Sequence, residues 1–580
     1  MNSVYKKISC FISILISLLI CISLAGCSSG NVKSSIQLTD TKWMNPTMKP
    51  LADRSSQPRE SEESTPQEKK AVFAQEQDLK ITQMPLEKLV YWMGNPGWAY
   101  TWGADKQDDQ QEYARDVARD RFGGIYVTGN FANGADFSAG QDPYSYDINS
   151  WGESDIFLSK FNAQGEFQWA TGIGGDGTDT GHAVAADSKG CVLLTGSFQG
   201  EFDFNPHVSH YDPHSAINGS DIFLIKYDKL GRQIWARTWG GYKKDEHGLG
   251  VAVDGSDNVY VTGYYGMTVD FDPGPGKENH TASGSADVFI SKFNSMGQFQ
   301  WVRTFASSST AVGFGIAADK AGNVYAVGYF YGLQYDLSAG QKPGGHMASS
   351  NGNADAFLTK FNTDGGFEWA RSWGGDESDY AYDIALTDDG STAYICGHYS
   401  DSVDFPSSLV RGGITTYTSN GARDAYLCKI DHNGSFKWAR AFGGTERDQC
   451  LSIAVDGYDN IYTAGFYSET VNFNPKATPV VHTSNGVHDS FLAKFTPNGT
   501  LLWAHTWGAG MYDEAFGVAA DPLGAAYVTG IFGGTVNFAS AGFNTHISEG
   551  VRDIFLCSFP SDGEWGTKLK LTPEIQLKTN

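Results

Sequence analysis

An acidic residue returns at a constant distance after a repeated tryptophan block, and its spacing could serve metal binding. Six aspartates lie six residues after the second large apolar residue of the block: Asp108, Asp179, Asp245, Asp379, Asp448 and Asp513. A seventh copy carries Ala311 at this place. Carboxylate oxygens bind hard cations such as calcium, so these acids form a candidate ligand or cation ring. The structural alternative is that each carboxylate accepts hydrogen bonds from loop amides. Repetition favours that alternative, because catalysis needs a few unlike residues rather than equivalent ones.

One loop, "HVSHYDPH", places His207, His210 and His214 beside Asp212. Imidazole and carboxylate groups at this spacing can ligate zinc or another transition metal. The loop occurs once and has no companion cluster in the sequence, so a solvated insertion is the simpler interpretation. We therefore predict no bound metal and no cofactor; a transition metal in this loop and calcium at the aspartate ring are the alternatives.

Sequence signatures of common enzymes are missing from the chain. It has no G-x-S-x-G elbow, no H-E-x-x-H helix and no G-x-x-x-x-G-K-[ST] phosphate loop. The acid pair of a glycosidase cannot be read from spacing, and no pair stands out. The sequence predicts a protein that is not an enzyme; an extracellular enzyme acting on glycans or esters is the alternative.

The elements that would position these residues are short strands, repeated along most of the chain. A block of the type D-[IVA]-F-[LI]-x-K-[FY] begins at Asp155 and returns at separations of 64 to 69 residues. Blocks resembling "GVAVD", "VYVTG" and "WARTWGG" recur between its copies in a constant order. Each block holds Val, Ile, Phe, Tyr and Trp between Gly, Asn and Asp, which is typical of strands joined by tight turns.

The strand blocks are apolar on both faces, since Ile156 and Leu158 point one way and Phe157 and Phe161 the other. A small sheet of this kind needs a neighbour on each side, and a closed ring of stacked sheets supplies both. An open β-solenoid fits less well, because its rungs are shorter than this unit. The tryptophan block occurs seven times, and its first copy, at Trp98, precedes any inner strand. We therefore predict an all-β, seven-bladed β-propeller of four-stranded antiparallel blades, closed by an N-terminal outer strand in which "WAYTWGA" pairs with "DIFLCSF".

The tryptophans of the block could either stack on sugars or fill the core. Trp235 and Trp239 are four residues apart on a strand and therefore lie on one face. A tryptophan pair in almost every copy predicts packing between blades rather than ligand binding.

The combination of "GVAVD", "GNVYVTG", "DVFISKFN" and "WARTWGG" resembles the SBBP-type bacterial β-propeller repeat, from about Trp92 to Phe559. The resemblance implies the propeller fold and a secreted or surface protein, and it implies no shared reaction. The turn "DKLGRQIW" also resembles the blades of quinoproteins. Those blades usually number eight, and their cofactor often lies beside a vicinal disulfide that this sequence lacks.

The first residues predict export. Lys6 and Lys7 precede an apolar run that ends in Leu24-Ala25-Gly26-Cys27, which resembles a lipoprotein signal peptide. We predict a signal peptide over residues 1–26, a lipidated Cys27 with a disordered tether over 27–85, the propeller over 86–566 and a tail over 567–580. The tether is polar and too poor in apolar residues to fold. The predicted location is the bacterial cell envelope, lipid-anchored at the outer membrane or cell surface; a plain secretory signal is the alternative.

Charge and loop variation indicate the kind of partner. A formal net charge of −24 argues against nucleic acid, whose phosphates would be repelled. The connections from "VYVTG" to the aspartate block vary in sequence, and variable loops on a rigid scaffold are common recognition sites. We predict a non-enzymatic binding or scaffold module for a protein or polysaccharide; a purely structural envelope component is a further alternative.

Overall fold

The computed structural model describes residues 97–103, 112–141, 146–205, 212–305, 309–343, 345–407, 413–539 and 544–565. All of them belong to one compact unit, Leu79–Asn580. The predicted signal peptide, tether and C-terminal tail lie outside the described residues, as do Cys27, Asp108, His207 and His210.

The described ranges form strands and turns without any helix, which confirms the all-β prediction. No helix in these ranges is therefore long and apolar enough to cross a membrane. The strands form groups of four that pair antiparallel in chain order. The first strands of the groups are Tyr113–Arg119, Thr180–Ala186, His247–Val253, Ala311–Ala318, Tyr380–Leu386, Gln449–Val455 and Glu514–Ala520. The second strands are Ile125–Phe131, Val192–Asp203, Val259–Tyr265, Val324–Tyr331, Thr392–Tyr399, Ile461–Tyr467 and Ala526–Phe532.

The third and fourth strands carry the aspartate and tryptophan blocks, respectively. The third strands are Asp155–Phe161, Pro213–Tyr227, Asp287–Phe293, Ala354–Phe361, Asp424–Asp431, Asp489–Phe495 and Asp553–Phe559. The fourth strands are Phe167–Gly175, Gln233–Trp239, Phe299–Phe305, Phe367–Trp373, Phe436–Phe442 and Leu501–Trp507.

The fourth strand beside Asp553–Phe559 comes from the other end of the described chain. Trp98–Trp102 pairs with it antiparallel, so that Trp98 lies opposite Ser558 and Trp102 opposite Ile554. One sheet thus combines an early strand with three late ones.

Two of the groups are joined into one eight-stranded sheet. The link is short: Gly174 pairs with Asp203 and Gly175 with Phe202. This link arises because the second and third strands of that group are unusually long and reach the end of the preceding fourth strand.

The connection between the second and third strands usually forms a small two-stranded ribbon. These ribbons are Gly134–Asp136 with Asp147–Asn149, Thr268–Asp270 with Asn279–Thr281, Tyr335–Asp336 with Met347–Ala348, Ser402–Ser407 with Gly413–Thr418, Thr470–Asn472 with Val481–Thr483 and Thr535–Asn537 with Thr545–Ile547.

The first strands lie side by side, and each contacts the first strands of two other groups. They consequently surround a central channel, with the second, third and fourth strands progressively farther out.

The core lies between neighbouring groups, as the two apolar faces of each strand predict. Ile156 and Leu158 pack with residues of the following group, and Phe157 and Phe161 with residues of the preceding one. All four side chains are fully buried. The prediction that both faces of each sheet are covered is confirmed.

The tryptophan block contributes to this core. Trp239 packs its ring 5.2 Å from that of Phe293, which belongs to the next group. Trp235 joins the same cluster, and both tryptophans are buried. The predicted packing role is confirmed for this pair.

Candidate functional site

Four of the aspartates proposed as a ring, Asp179, Asp379, Asp448 and Asp513, lie just before the first strands and are buried. Asp513 shows the arrangement: its Oδ2 accepts a hydrogen bond from the Ala509 amide at 2.8 Å, and its Oδ1 accepts one from the Gly533 amide at 2.9 Å. Its own amide donates to the carbonyl of His488, in the preceding group, at 3.0 Å. The same position is occupied by the buried carboxylates Asp179, Asp379 and Asp448, each of which accepts the amide four residues before it.

The equal spacing in sequence does not hold in every group. Glu246 precedes the first strand that begins at His247, and its Oε2 accepts the Gly241 amide at 3.1 Å. Asp245 is exposed instead and lies beside Ser220, whose amide donates to it at 3.2 Å. The loop here is one residue longer, so the equivalent residue is Glu246. Buried Glu112 similarly precedes Tyr113.

Each of the four buried aspartates is close to the aspartate of the repeated D-[IVA]-F block on the third strand of the preceding group. Burial, together with a smaller contribution from nearby Asp155, raises the pKa of Asp179 to about 7. Asp379, beside Asp355, reaches about 8, its pKa also raised chiefly by burial. The described residues contain no group of three or more His, Cys, Asp or Glu that could hold a metal ion. Within the described ranges the acids act as separate links between groups.

The histidine loop places its one described imidazole in a repeated structural contact. Nδ1 of His214 lies 2.7 Å from Oγ1 of Thr238, on the adjacent fourth strand. Three other ribbon histidines make the same contact with a threonine: His280 with Thr304, His482 with Thr506 and His546 with Thr101. The sequence already contained this signal, because a histidine recurs at the same place in the second ribbon strand.

One departure from the repeat lies inside the central channel. A cavity of about 440 Å³ is lined only by residues of the first strands. We call it the channel pocket; its polar and aromatic lining consists of Arg115, Asp116, His182, Phe314, Tyr382, Asp383, Ser452 and Phe516. Unlike side chains thus converge on one space from a repeated scaffold.

A β-bulge at the same place in each first strand directs these residues. In the first group the register shifts between Ala114 and Asp116, so Arg115 is the extra residue. The fifth group shifts in the same way between Ala381 and Asp383, around Tyr382. Bulges re-aim side chains, and here every first strand contributes at least one residue at or beside its bulge to the channel pocket.

The acids of the channel pocket also bind the neighbouring strands. Oδ2 of Asp116 accepts the Val184 amide at 2.8 Å. Oδ2 of Asp383 accepts the Ile453 amide at 2.9 Å and the Ser452 hydroxyl at 3.0 Å. Burial raises the pKa of Asp116 to about 7, with Asp383 adding to the effect. Both carboxyls therefore hold the ring of first strands together and still face the cavity.

The basic groups of the channel pocket are poorly solvated. Nε of Arg115 donates to Oδ1 of Asn130 at 3.1 Å, and burial lowers the pKa of the guanidinium. Nε2 of His182 lies 3.3 Å from Nδ1 of His247. Burial and the charge of Arg115 lower the pKa of His182 well below its usual value. At neutral pH the two imidazoles are uncharged, and Arg115 is the cation of the cavity.

Sequence reasoning missed the channel pocket because its residues lie within a repeated strand pattern. The residue before each recurring "VA" or "IA" pair is Asp116, Ala183, Gly250, Gly315, Asp383, Ser452 or Gly517. A search for unlike residues at equivalent positions would have found the two acids. Their convergence on one cavity required the closed arrangement of first strands.

Comparison with known proteins gives distant similarities to repeat proteins. No protein-family model matches the chain. It is 24% identical over 459 residues to an uncharacterized WD repeat-containing protein, L264, of Acanthamoeba polyphaga mimivirus, covering 67% of this chain and 33% of that protein. It is 26% identical over 414 residues to the regulatory protein FlaEY of Caulobacter vibrioides, covering 66% of this chain and 41% of FlaEY. The chain thus spans less than half the length of these two relatives.

The solved structures that match the chain are more distant in sequence. The Pan2 WD40 domain of Neurospora crassa has a TM-score of 0.31 at 8% identity, covering 78% of this chain and 90% of that domain. A puromycin hydrolase has a TM-score of 0.34 at 10% identity, covering 75% of this chain and 53% of the hydrolase. The chain is therefore similar, across two thirds of its length, to a WD-repeat protein of unknown activity.

Proposed function

We propose that this protein is a non-enzymatic binding scaffold: a lipid-anchored, surface-displayed, seven-bladed β-propeller that binds a protein or polysaccharide through one variable face. The groups of four strands are its blades, and Trp98–Trp102 is the strand that closes the ring. The pairing of that strand with Asp553–Phe559 supports closure. The side-by-side contacts of the first strands support a ring.

One observation carries the binding role: variation is concentrated on one face of the ring. The start of each first strand pairs with the end of the second, as Tyr113 does with Asn130. The end of the second strand pairs with the start of the third, as Phe131 does with Asp155. The variable connections and the start of the first strands therefore share one face, which we call the loop face.

The opposite face repeats almost unchanged. In its turn at 254–258, Oδ1 of Asp254 accepts the amides of Ser256 and Asn258 at 2.8 and 3.0 Å. Equivalent aspartate-capped turns begin at Asp120, Asp187, Asp319, Asp456 and Asp521. A rigid repeated face supports unlike loops on the other side, which is the usual arrangement of a recognition scaffold.

Membrane anchoring rests on the N-terminal sequence. The Leu-Ala-Gly-Cys pattern before the polar tether supports lipidation of Cys27 and display of the folded part on the cell envelope. The acidic composition supports a partner other than nucleic acid.

The test exchanges loops within the chain. Residues 266–286 and 468–488 are connections of equal length that carry matching ribbons, Thr268–Asp270 and Thr470–Asn472. Replacing the first connection by the second changes the loop face and preserves the backbone. We expect at least about a tenfold loss of binding to the ligand found on a glycan array or in an envelope extract, with an unchanged melting temperature, because few contacts carry most binding energy.

Ser256→Tyr is the matched control, because the equivalent turn on the repeated face carries Tyr458. It should leave binding intact. If exchange of every connection leaves binding unchanged, the proposal fails. Release of product from an arrayed glycan or ester would instead support the alternative, an extracellular enzyme that acts on glycans or esters.

A further inference from the structure

The channel pocket combines three chemistries in a space of small-molecule size. Its volume of about 440 Å³ falls within the usual range of ligand sites. Arg115 supplies a cation, Asp116 and Asp383 supply hydrogen-bond acceptors, and Phe314 and Phe516 supply apolar ring surfaces. None of these residues belongs to the repeated consensus of the first strands.

Arg115 is the feature that needs an explanation. Its guanidinium lies 4.9 Å from the Tyr113 ring and donates from Nε to Asn130. Among the described residues it forms no ion pair. A poorly solvated cation is costly unless it is paired, and an arginine fork suits a carboxylate.

We propose that the channel pocket binds a sugar acid with a single ring, whose carboxylate contacts Arg115 and whose hydroxyls donate to Asp116 and Asp383. Each aspartate already accepts two backbone amides, one at each carboxyl oxygen, and Asp383 also accepts the Ser452 hydroxyl. The remaining lone pairs of the two carboxyl groups retain acceptor capacity. They would repel a second anionic group, so the ligand carries one carboxylate. Tyr382, whose ring lies 5.2 Å from that of Phe314, adds an apolar surface for the ring of the ligand.

This inference is independent of macromolecular binding at the loop face. A cavity of this volume admits a monosaccharide rather than a protein surface. If the loop exchange does not change macromolecular binding, the proposed sugar-acid site in the channel pocket is unaffected. If no sugar acid binds, the proposed binding role of the loop face is unaffected.

Binding should also depend on pH. The titratable groups around Arg115 are Tyr113, Asp116, His182, His247, Tyr382 and Asp383. Burial raises the pKa of Asp116 to about 7, so its ionisation at higher pH repels the ligand carboxylate. His182 stays uncharged between pH 8.5 and pH 6, because burial and the charge of Arg115 hold its pKa well below the usual value. Affinity should therefore rise severalfold between pH 8.5 and pH 6.

The first test uses the full-length wild-type chain. Isothermal titration with D-glucuronate and D-galacturonate, and with D-glucose as the neutral analogue, should show binding of at least one sugar acid. Glucose should bind at least about tenfold more weakly, since hydrogen bonds to a charged group are lost. Absence of binding by both sugar acids at millimolar concentration, or equal binding of glucose, would overturn the proposal.

Variants locate the site. Arg115→Gln should weaken sugar-acid binding at least about tenfold, and Arg115→Lys should weaken it less, because charge is retained without the planar fork. Arg232→Gln is the control, since Arg232 is an exposed arginine far along the chain with an ion pair to Asp228. Equal affinity of Arg115→Gln and wild type would exclude the channel pocket. A peptide with a free C-terminal carboxylate that binds more tightly than either sugar acid would replace the sugar acid as ligand class.

Discussion

Asp513 illustrates how burial decides the role of a repeated residue. Its carboxyl links the Ala509 amide to the Gly533 amide, one on each side of the boundary between two groups. Burial raises its pKa to about 7, with smaller contributions from Asp489 and Glu514. A group with a raised pKa binds its proton more tightly in the folded state. Its stabilising effect is therefore complete below about pH 4 and is lost as the pH rises through 7.

Asp513→Asn should remove this pH dependence. An asparagine accepts only one of the two amide hydrogen bonds, so the variant should be less stable than wild type at pH 5 by about 1 kcal/mol. The difference should shrink as the pH rises to 8.5, because only the wild type loses stability through ionisation of this group. Urea unfolding at both pH values measures the gap.

Asp389→Asn serves as the control for that measurement. Its carboxylate is exposed, and hydrogen bonds from Ser391 and Thr387 lower its pKa to about 2. Asp389 is ionised in both the folded and unfolded states above pH 5. The difference in free energy of unfolding between Asp389→Asn and wild type should therefore be the same at both pH values. If the difference in free energy of unfolding between Asp513→Asn and wild type also stays constant, the raised pKa of Asp513 is contradicted.

At the scale of the element, the "WAR" or "WVR" segment of four fourth strands binds a turn of the next group through its arginine. Nε of Arg371 donates to the Gly434 carbonyl at 2.7 Å, and the guanidinium lies 5.6 Å from the Trp369 ring. Gly434 has φ of 76° and lies against the same ring. The repeated tryptophan and arginine thus hold neighbouring groups together.

Gly434→Ala should destabilise the protein by more than backbone strain alone. A Cβ at this position would lie 2.7 Å from Cδ2 of Trp369, in addition to a positive-φ cost of about 1–2 kcal/mol. Gly140 has φ of 72°, and a Cβ added there would meet no heavy atom within 4 Å. Gly140→Ala should therefore cost only the strain. If denaturant unfolding shows equal losses of unfolding free energy for the two variants, the contact with Trp369 does not add to the cost of Gly434→Ala.

At the scale of the whole molecule, the joining of distant chain segments determines the architecture. Ala99 lies opposite Cys557 in the sheet that combines both ends of the described chain, and both belong to one hydrophobic cluster. Opposed side chains on paired strands are about 5 Å apart at Cβ, which is near the reach of a disulfide.

Ala99→Cys should therefore form a disulfide with native Cys557 under mild oxidation. Mass spectrometry of the non-reduced digest should find the linked peptides. Tyr100→Cys is the matched control, because Tyr100 lies opposite Leu556 on the other face of the strand. Failure of Ala99→Cys to cross-link, or equal cross-linking of Tyr100→Cys, would argue against this register and against closure by the first strand.

Much of the fold was predictable from local pattern. Runs such as Ile125–Phe131 between turn residues identify strands, and the two-sided apolar character of Asp155–Phe161 predicts burial on both faces. The candidate acids were also visible as repeats. The sequence did not show which acid is equivalent in each group. One extra loop residue before Glu246 shifts the spacing in sequence, although Glu246 occupies the same position in space as the buried aspartates.

The sequence by itself determined the strand content, the repeat, and the need to bury both apolar faces of each sheet against neighbouring sheets. These properties follow from residue type and spacing. Only the tertiary structure decided that Arg115, Asp116 and Asp383 share one cavity. Arg115 and Asp116 are adjacent, but Asp383 lies four repeats farther along the chain, and no local pattern encodes a distance across a channel. That distance depends on how many sheets surround the axis and on bulges that turn side chains inward, which are properties of the assembled chain.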